Sequence, residues 1–124
     1  MTDDPQGFLS LIAARTPDAT DGRATLVVDV DERHANHAGA VHGGMLATLV
    51  DTTMGAAIMS TLDGGSTATS QLTVTYLRPA KPGRLVVSAE VGKRGQNLTV
   101  CDAEIEQDGE TIVHALATFA LLDG

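Results

Sequence analysis

This sequence predicts an α+β fold in which one long helix is wrapped by an antiparallel sheet of five to six strands. Three observations carry that prediction. Gly43 to Leu62 holds a single charge, Asp51, over a length that fits a helix. Four segments rich in β-branched residues follow it, separated only by short turns, and one more precedes it. With 124 residues the chain is sized for one domain, 1–124, around one core.

Taken in order, residues 1–22 are an N-terminal helix and its lead-in. Apolar side chains at helical spacing place that helix at Gly7 to Ala14, and Thr16-Pro17 ends it. Arg23 to Val30 packs Leu26, Val27, Val28 and Val30 into a strand, and Asp31 to His42 is a polar loop bearing Gly and His. Gly43 to Leu62 is the central helix. A membrane span competes for this segment, but an Asp at its centre costs about 3 kcal/mol in lipid, and glycines and hydroxyl residues dilute its hydropathy. Beyond the turn at Asp63-Gly64-Gly65 the chain is β. Residues 66–77 form a strand stopped by Pro79, and Lys81-Pro82-Gly83 is a turn. Leu85 to Gly92 and Asn97 to Glu106 alternate, Gln107-Asp108-Gly109-Glu110 is a hairpin turn, and Thr111 to Leu122 is the last strand. One sheet covers one side of a helix, whereas Gly43 to Leu62 is apolar around its circumference. At least a dimer is therefore expected.

Composition narrows the function classes. Sixteen acidic residues against eight basic ones give a net charge of −8, which repels a phosphate backbone, and Trp is absent, so nucleic acid is not an expected partner. The charge is uneven: Arg78, Lys81, Arg84, Lys93 and Arg94, five of the eight basic residues, fall in one stretch with Glu90 the only acid. A local anion site is compatible with that stretch, and so is a set of solvated side chains on strand ends. A lone Cys101 excludes an internal disulfide and a Cys-cluster zinc site, and Met1-Thr2-Asp3-Asp4-Pro5 is unlike a secretion signal. A cytoplasmic location is expected.

The chemistry concentrates around the helix. Asp51 lies among apolar neighbours, where lost hydration would make its carboxylate a better base or nucleophile; the plainer alternative is an Asp that hydrogen-bonds local backbone or hydroxyl groups. His42-Gly43-Gly44 puts two glycines at the helix start, where free N–H groups and the positive dipole end could stabilise a carbonyl oxygen gaining charge. Simple flexibility at helix entry is the alternative. Asp51 lies eight residues past Gly43, about 12 Å along the axis. One substrate would have to reach both groups by bending or across a subunit boundary. His34, His37 and His42 fall within nine residues, but their spacing matches no two-His helical metal motif, and no metal site is expected. There is no G-x-S-x-G, Walker or dinucleotide pattern, and Cys101 falls in a strand, where packing explains it.

The run Asn36-His37-Ala38-Gly39-Ala40-Val41-His42-Gly43-Gly44, with Asp51 nine residues after the His and then Thr69 to Tyr76 and Leu77-Arg78-Pro79-Ala80, resembles the hotdog-fold acyl-CoA thioesterases of the phenylacetate-degradation type. The likeness spans Arg23 to Leu122. It implies a long helix wrapped by a sheet, subunits joined edge to edge, dimers that pair into tetramers, and active sites at the dimer interface. It implies that Gly43 N–H polarises the thioester carbonyl and that His42 and Asn36 support the loop and the thioester. Asp51 of the partner chain would act as base or nucleophile, and Thr69 would orient the water. Gly44 would lie against the substrate, and Arg78, Lys81 and Arg84 would meet the phosphates of coenzyme A. Met45, Leu46, Met54, Ile58 and Leu62 offer an apolar lining, though at helical spacing they also read as core. No cofactor is implied.

Two functions of different class follow. The first is an acyl-CoA thioesterase releasing a carboxylic acid and coenzyme A; the second is an acyl-CoA-binding sensor without turnover. The set Asn36, His42, Gly43, Asp51 and Thr69 favours the first. Hydration of an enoyl thioester would call for a loop pattern that this chain lacks.

Overall fold

The computed structural model describes residues 4–122. Its elements are β1 (Asp18–Thr20), β2 (Arg23–Val30), α1 (Gly43–Met59), β3 (Ser66–Tyr76), β4 (Gly83–Arg94), β5 (Leu98–Gln107) and β6 (Glu110–Leu122). All strands join one antiparallel sheet in the order β1-β2-β4-β5-β6-β3, which leaves β1 and β3 as its two edges.

The sheet's inner face is set by alternation. β2 buries Ala24, Leu26, Val28 and Val30 and exposes the residues between them. Leu85 and Val87 of β4, Cys101, Ala103 and Ile105 of β5 and Val113, Ala115, Ala117 and Phe119 of β6 continue that apolar face. α1 lies on it with Leu46, Leu49, Val50, Met54, Ala57 and Ile58 buried. Two hydroxyls of this helix are satisfied locally: Thr53 Oγ1 donates to Leu49 O at 2.7 Å and Thr48 Oγ1 to Gly44 O at 2.9 Å. The two Asp-Gly hairpin turns are left-handed at both residues. Asp21 (φ 52°) and Gly22 (83°) join β1 to β2, and Asp108 (54°) and Gly109 (80°) join β5 to β6, the backbone that matches strand twist in two-residue hairpins.

Three expectations are corrected. The helix expected at Gly7 to Ala14 is a short 3-10 turn, Gly7–Leu11, that buries none of its residues; Gly7 enters it at φ 60°, and Leu11 stays 73% exposed. A strand not read in the lead-in, β1, exists because the Asp21-Gly22 turn folds it back on β2. The central helix stops at Met59 rather than Leu62, because Ser60 Oγ and Thr61 Oγ1 donate to the carbonyls of Ala57 (2.6 Å) and Ile58 (2.7 Å) and close its last turn. Among the described residues no helix is long and apolar enough to cross a membrane. The face of α1 turned away from the sheet is not covered within the chain: Gly44 and Met59 are exposed and Ala47, Thr48, Asp51, Thr52, Gly55 and Ala56 are half-buried.

Candidate active site

α1 begins where three segments are tied together. Val41 N–H donates to Ala80 O (2.9 Å) and His42 N–H to His34 O (2.8 Å), which stitches the loop after β2 to itself and to the connection between β3 and β4. Gln107 steadies that connection by accepting from Lys81 N–H (2.9 Å) and donating to Lys81 O (2.7 Å). Asn36 organises the loop tip. Its Oδ1 accepts from the N–H groups of Ala38 (2.9 Å) and Ala40 (3.3 Å), so its side-chain amide nitrogen is the part left to donate outward. His34 serves the loop too: its Nδ1 accepts from Asp31 N–H at 3.0 Å. The Arg33 guanidinium hydrogen-bonded to Asp31, together with the Arg33 N–H, pulls that carboxyl down to about 2. Among the described residues no group of three or more His, Cys, Asp or Glu is arranged to hold a metal ion.

At the helix start the two glycines have a steric reason. A side-chain carbon on Gly43 would lie 3.3 Å from the Tyr76 ring, and one on Gly44 would lie 3.2 Å from His42 Nδ1. His42 is the N-cap, and its Nδ1 accepts from Gly44 N–H at 3.0 Å. Gly43 N–H has no acceptor among the described residues. It belongs to the peptide whose oxygen, that of His42, accepts from Met45 N–H (3.0 Å) and Leu46 N–H (3.3 Å), and donors at the oxygen polarise the N–H at the other end. The free amide of the helix start is thus Gly43's, while Gly44's is occupied by the imidazole.

Asp51 sits on the open face of α1, half-buried, and accepts a 2.6 Å hydrogen bond at Oδ1 from Thr69 Oγ1. A bulge makes that contact. β3 shifts register between Thr69 and Gln71, and the Ser70 hydroxyl donates to Thr118 O at 2.9 Å. Strict alternation would put Thr69 on the face of Gln71 and Thr73; the extra residue places it opposite Phe119, on the inner face with Leu72 and Val74. One oxygen of Asp51 is thereby held while the other is free to take a proton.

Of the predicted basic residues, Arg78 and Lys81 line one cleft, and Arg84 lines another. Arg84 is tied across the sheet to Asp29 (3.0 Å), and Arg78 pairs with Glu110 (3.2 Å). Lys81 makes no ion pair among the described residues. Met45, Leu46, Met54 and Ile58 are core, and Leu62 is partly buried against it. Cys101 is fully buried, and burial, reinforced by the nearby Asp102 charge, pushes its thiol up to about 12. Tyr76 was not singled out from the sequence. It is the only tyrosine, its hydroxyl donates to Gly43 O at 2.8 Å, and its place beside Val113 in the register puts it on the inner face of β3.

Residues 38–114, which hold His42, Gly43, Asp51, Thr69 and Tyr76, match the profile of one protein family. The chain belongs to the thioesterase superfamily. Human acyl-coenzyme A thioesterase 13 is 34% identical over 88 residues, covering 70% of this chain and 63% of that protein, so the chain spans less than two thirds of that relative. A thioesterase family protein from Silicibacter pomeroyi superposes with a TM-score of 0.87 at 31% identity, over 96% of this chain and 91% of that one. The E. coli PaaI protein of the phenylacetic acid degradation operon gives 0.79 at 29% identity, over 84% and 75%. The helix and its six-stranded wrap are therefore a hotdog fold, and this chain is an enzyme of the thioesterase superfamily.

Proposed function

We propose that this thioesterase hydrolyses acyl-CoA thioesters as a dimer joined through β3, with Asp51 of one subunit facing Gly43 N–H of the other. The carrying observation is the Asp51–Thr69 pair, a carboxylate oriented by a hydroxyl on the open face of α1 beside a sheet edge. Within one chain the eight-residue separation sets Asp51 about 12 Å along the axis from Gly43, too far for both to act on one carbonyl. A two-fold junction at β3 would bring the partner's Asp51 toward this chain's helix start. Human acyl-coenzyme A thioesterase 13 supports the substrate class by its name.

In this mechanism the thioester carbonyl oxygen receives Gly43 N–H, with His42 and the Asn36 amide nitrogen beside it and Gly44 beneath the substrate. Asp51 draws a proton from a water held by Thr69, and the water oxygen attacks the carbonyl carbon. The tetrahedral oxyanion rests on Gly43 N–H, then collapses to break the C–S bond. The proton passes from Asp51 to the departing sulfur, which leaves a carboxylic acid and coenzyme A. Direct attack by Asp51 to form an anhydride gives the same products, and label found in Asp51 after one turnover in heavy-oxygen water, from water opening the anhydride at the Asp carbonyl, would establish that route. Of the three basic residues assigned to the coenzyme A phosphates, Lys81 is the one without an ion pair among the described residues. Arg78 and Arg84 would join it by exchanging Glu110 and Asp29, exposed pairs that cost little to break. Leu98, Val100 and Leu116, exposed on the sheet's outer face, give dimers a surface on which to pair into tetramers. The buried, free Cys101 accords with a cytoplasmic setting.

The test is Asp51→Asn, assayed by thiol release over short, medium and aryl acyl-CoA panels. The thiol reagent is not consumed by the inaccessible Cys101. Turnover should fall at least about a hundredfold, the worth of a general base, with fold and oligomer unchanged. Near-normal turnover of the variant would remove Asp51 from the mechanism, and binding without thiol release by the wild type would make the protein a sensor.

A further inference from the structure

We propose that Tyr76 is a positioning residue that fixes the tautomer and aim of His42 through the Gly43–Gly44 peptide group. Two hydrogen bonds to one peptide, and the space its two glycines leave for rings, carry this. At its oxygen end the Tyr76 hydroxyl donates to Gly43 O at 2.8 Å. At its nitrogen end Gly44 N–H donates to His42 Nδ1 at 3.0 Å. Both flanks are occupied by rings: Tyr76 stands 3.3 Å from where a side-chain carbon of residue 43 would be, and His42 Nδ1 stands 3.2 Å from that of residue 44. Alanine at either position would push one ring away, so the glycine pair is the space in which the two aromatics close on the peptide.

The consequence follows from how amides transmit polarisation. A donor at a peptide oxygen strengthens the N–H of the same peptide. The Tyr76 hydroxyl therefore strengthens the bond that His42 Nδ1 accepts. An imidazole whose Nδ1 accepts carries its single neutral-state proton on Nε2. His42 is exposed, so Nε2–H is presented to whatever occupies the helix start. There it would stand as a second donor beside Gly43 N–H, directed by a phenol that need not touch the substrate.

Phenylalanine keeps the ring against Gly43 and removes only the hydroxyl, so Tyr76→Phe isolates the relay. The first readout is the nitrogen shifts of His42 in histidine-labelled protein near pH 8, where a free imidazole is neutral, with the His42→Asn variant identifying its signals among the four histidines. Wild type should show the Nε2–H tautomer, and Tyr76→Phe should move toward a mixture of both. The second readout rests on the acyl-CoA reading above: Tyr76→Phe should lower kcat about fivefold, the worth of one neutral hydrogen bond, at unchanged KM, and should have no further effect in a His42→Ala background. Identical His42 shifts in wild type and Tyr76→Phe would overturn the relay, and so would an equal loss of kcat in the His42→Ala background. Absence of any acyl-CoA hydrolysis would defeat the substrate assignment instead, and the nitrogen shifts would still decide the role of Tyr76.

Discussion

The two edges of the sheet are built in opposite ways. β1 is three residues long, carries Asp18 and turns sharply at Asp21-Gly22. β3 runs for eleven residues, Ser66 to Tyr76, without a charge or a proline. Short strands and charges are how a sheet edge avoids pairing with another chain, and a long, uncharged edge invites it. One edge of this sheet is thus blunted while the other is left as a template, and both groups assigned to the chemistry meet the templating edge: Thr69 of β3 holds Asp51, and Tyr76 of β3 holds the helix start. A site completed by a second subunit needs that asymmetry.

The sharpest way to break the comparison is to charge the long edge. Thr73 and Thr75 lie on the outer face of β3, outside the proposed catalytic machinery, in register with Leu116 and His114. Lysine at both should weaken self-association by roughly two orders of magnitude, because like charges opposed across a strand pair repel. Thiol release should fall with the dimer and return at high protein concentration. Ala19→Lys on β1 should change neither. Sedimentation velocity beside the thiol assay checks both arms; a doubly substituted chain that stays dimeric and active would take β3 out of the interface.

A smaller effect sharpens which groups cross that edge. Asp51→Asn and Gly43→Pro chains should each be inactive as pure dimers, the second because proline is tolerated at the first helical position but removes the N–H that the carbonyl oxygen receives. Unfolded and refolded together, they should recover about a quarter of wild-type activity, since random pairing gives half hybrids and each hybrid restores one of two sites. No recovery on mixing would mean that Asp51 and Gly43 serve a site within one chain.

Much of this was legible in the sequence, and the exceptions share a cause. β2 was read to the residue because Leu26, Val27, Val28 and Val30 crowd apolar, mostly β-branched side chains into eight positions, and α1 was found because one charge in a long apolar run has few other homes. The 3-10 turn at Gly7–Leu11 and the existence of β1 depend on backbone twists at Gly7 and Asp21-Gly22 rather than on any hydrophobic period. In the candidate site, His42, Gly43 and Asp51 stand out locally by spacing. The Thr69–Asp51 contact rests on a one-residue bulge that alternation alone would deny, so resemblance pointed to Thr69 where periodicity could not. Tyr76 was hidden for the same reason: its partner is a backbone oxygen thirty-three positions away, and a backbone oxygen has no sequence signature.

The middle of the sheet separates stability from edge behaviour. Thr99 in β5 lies between the edges, fully buried, with Oγ1 lacking any hydrogen-bond partner among the described residues. A buried hydroxyl without a partner has lost its hydration and gained nothing in return. Thr99→Val keeps the shape and removes that cost, so unfolding free energy should rise by about 1 kcal/mol, read as a higher urea midpoint at unchanged slope. Because Thr99 pairs with Arg94 and Phe119 in the interior of the ladder and touches neither edge strand in register, dimer affinity and thiol release should stay as in wild type. A variant that gains stability while the Thr73 and Thr75 lysines weaken association would show that β3 governs assembly apart from fold stability. A loss of stability on Thr99→Val would instead mean that the hydroxyl is satisfied in solution, by a water held inside the sheet.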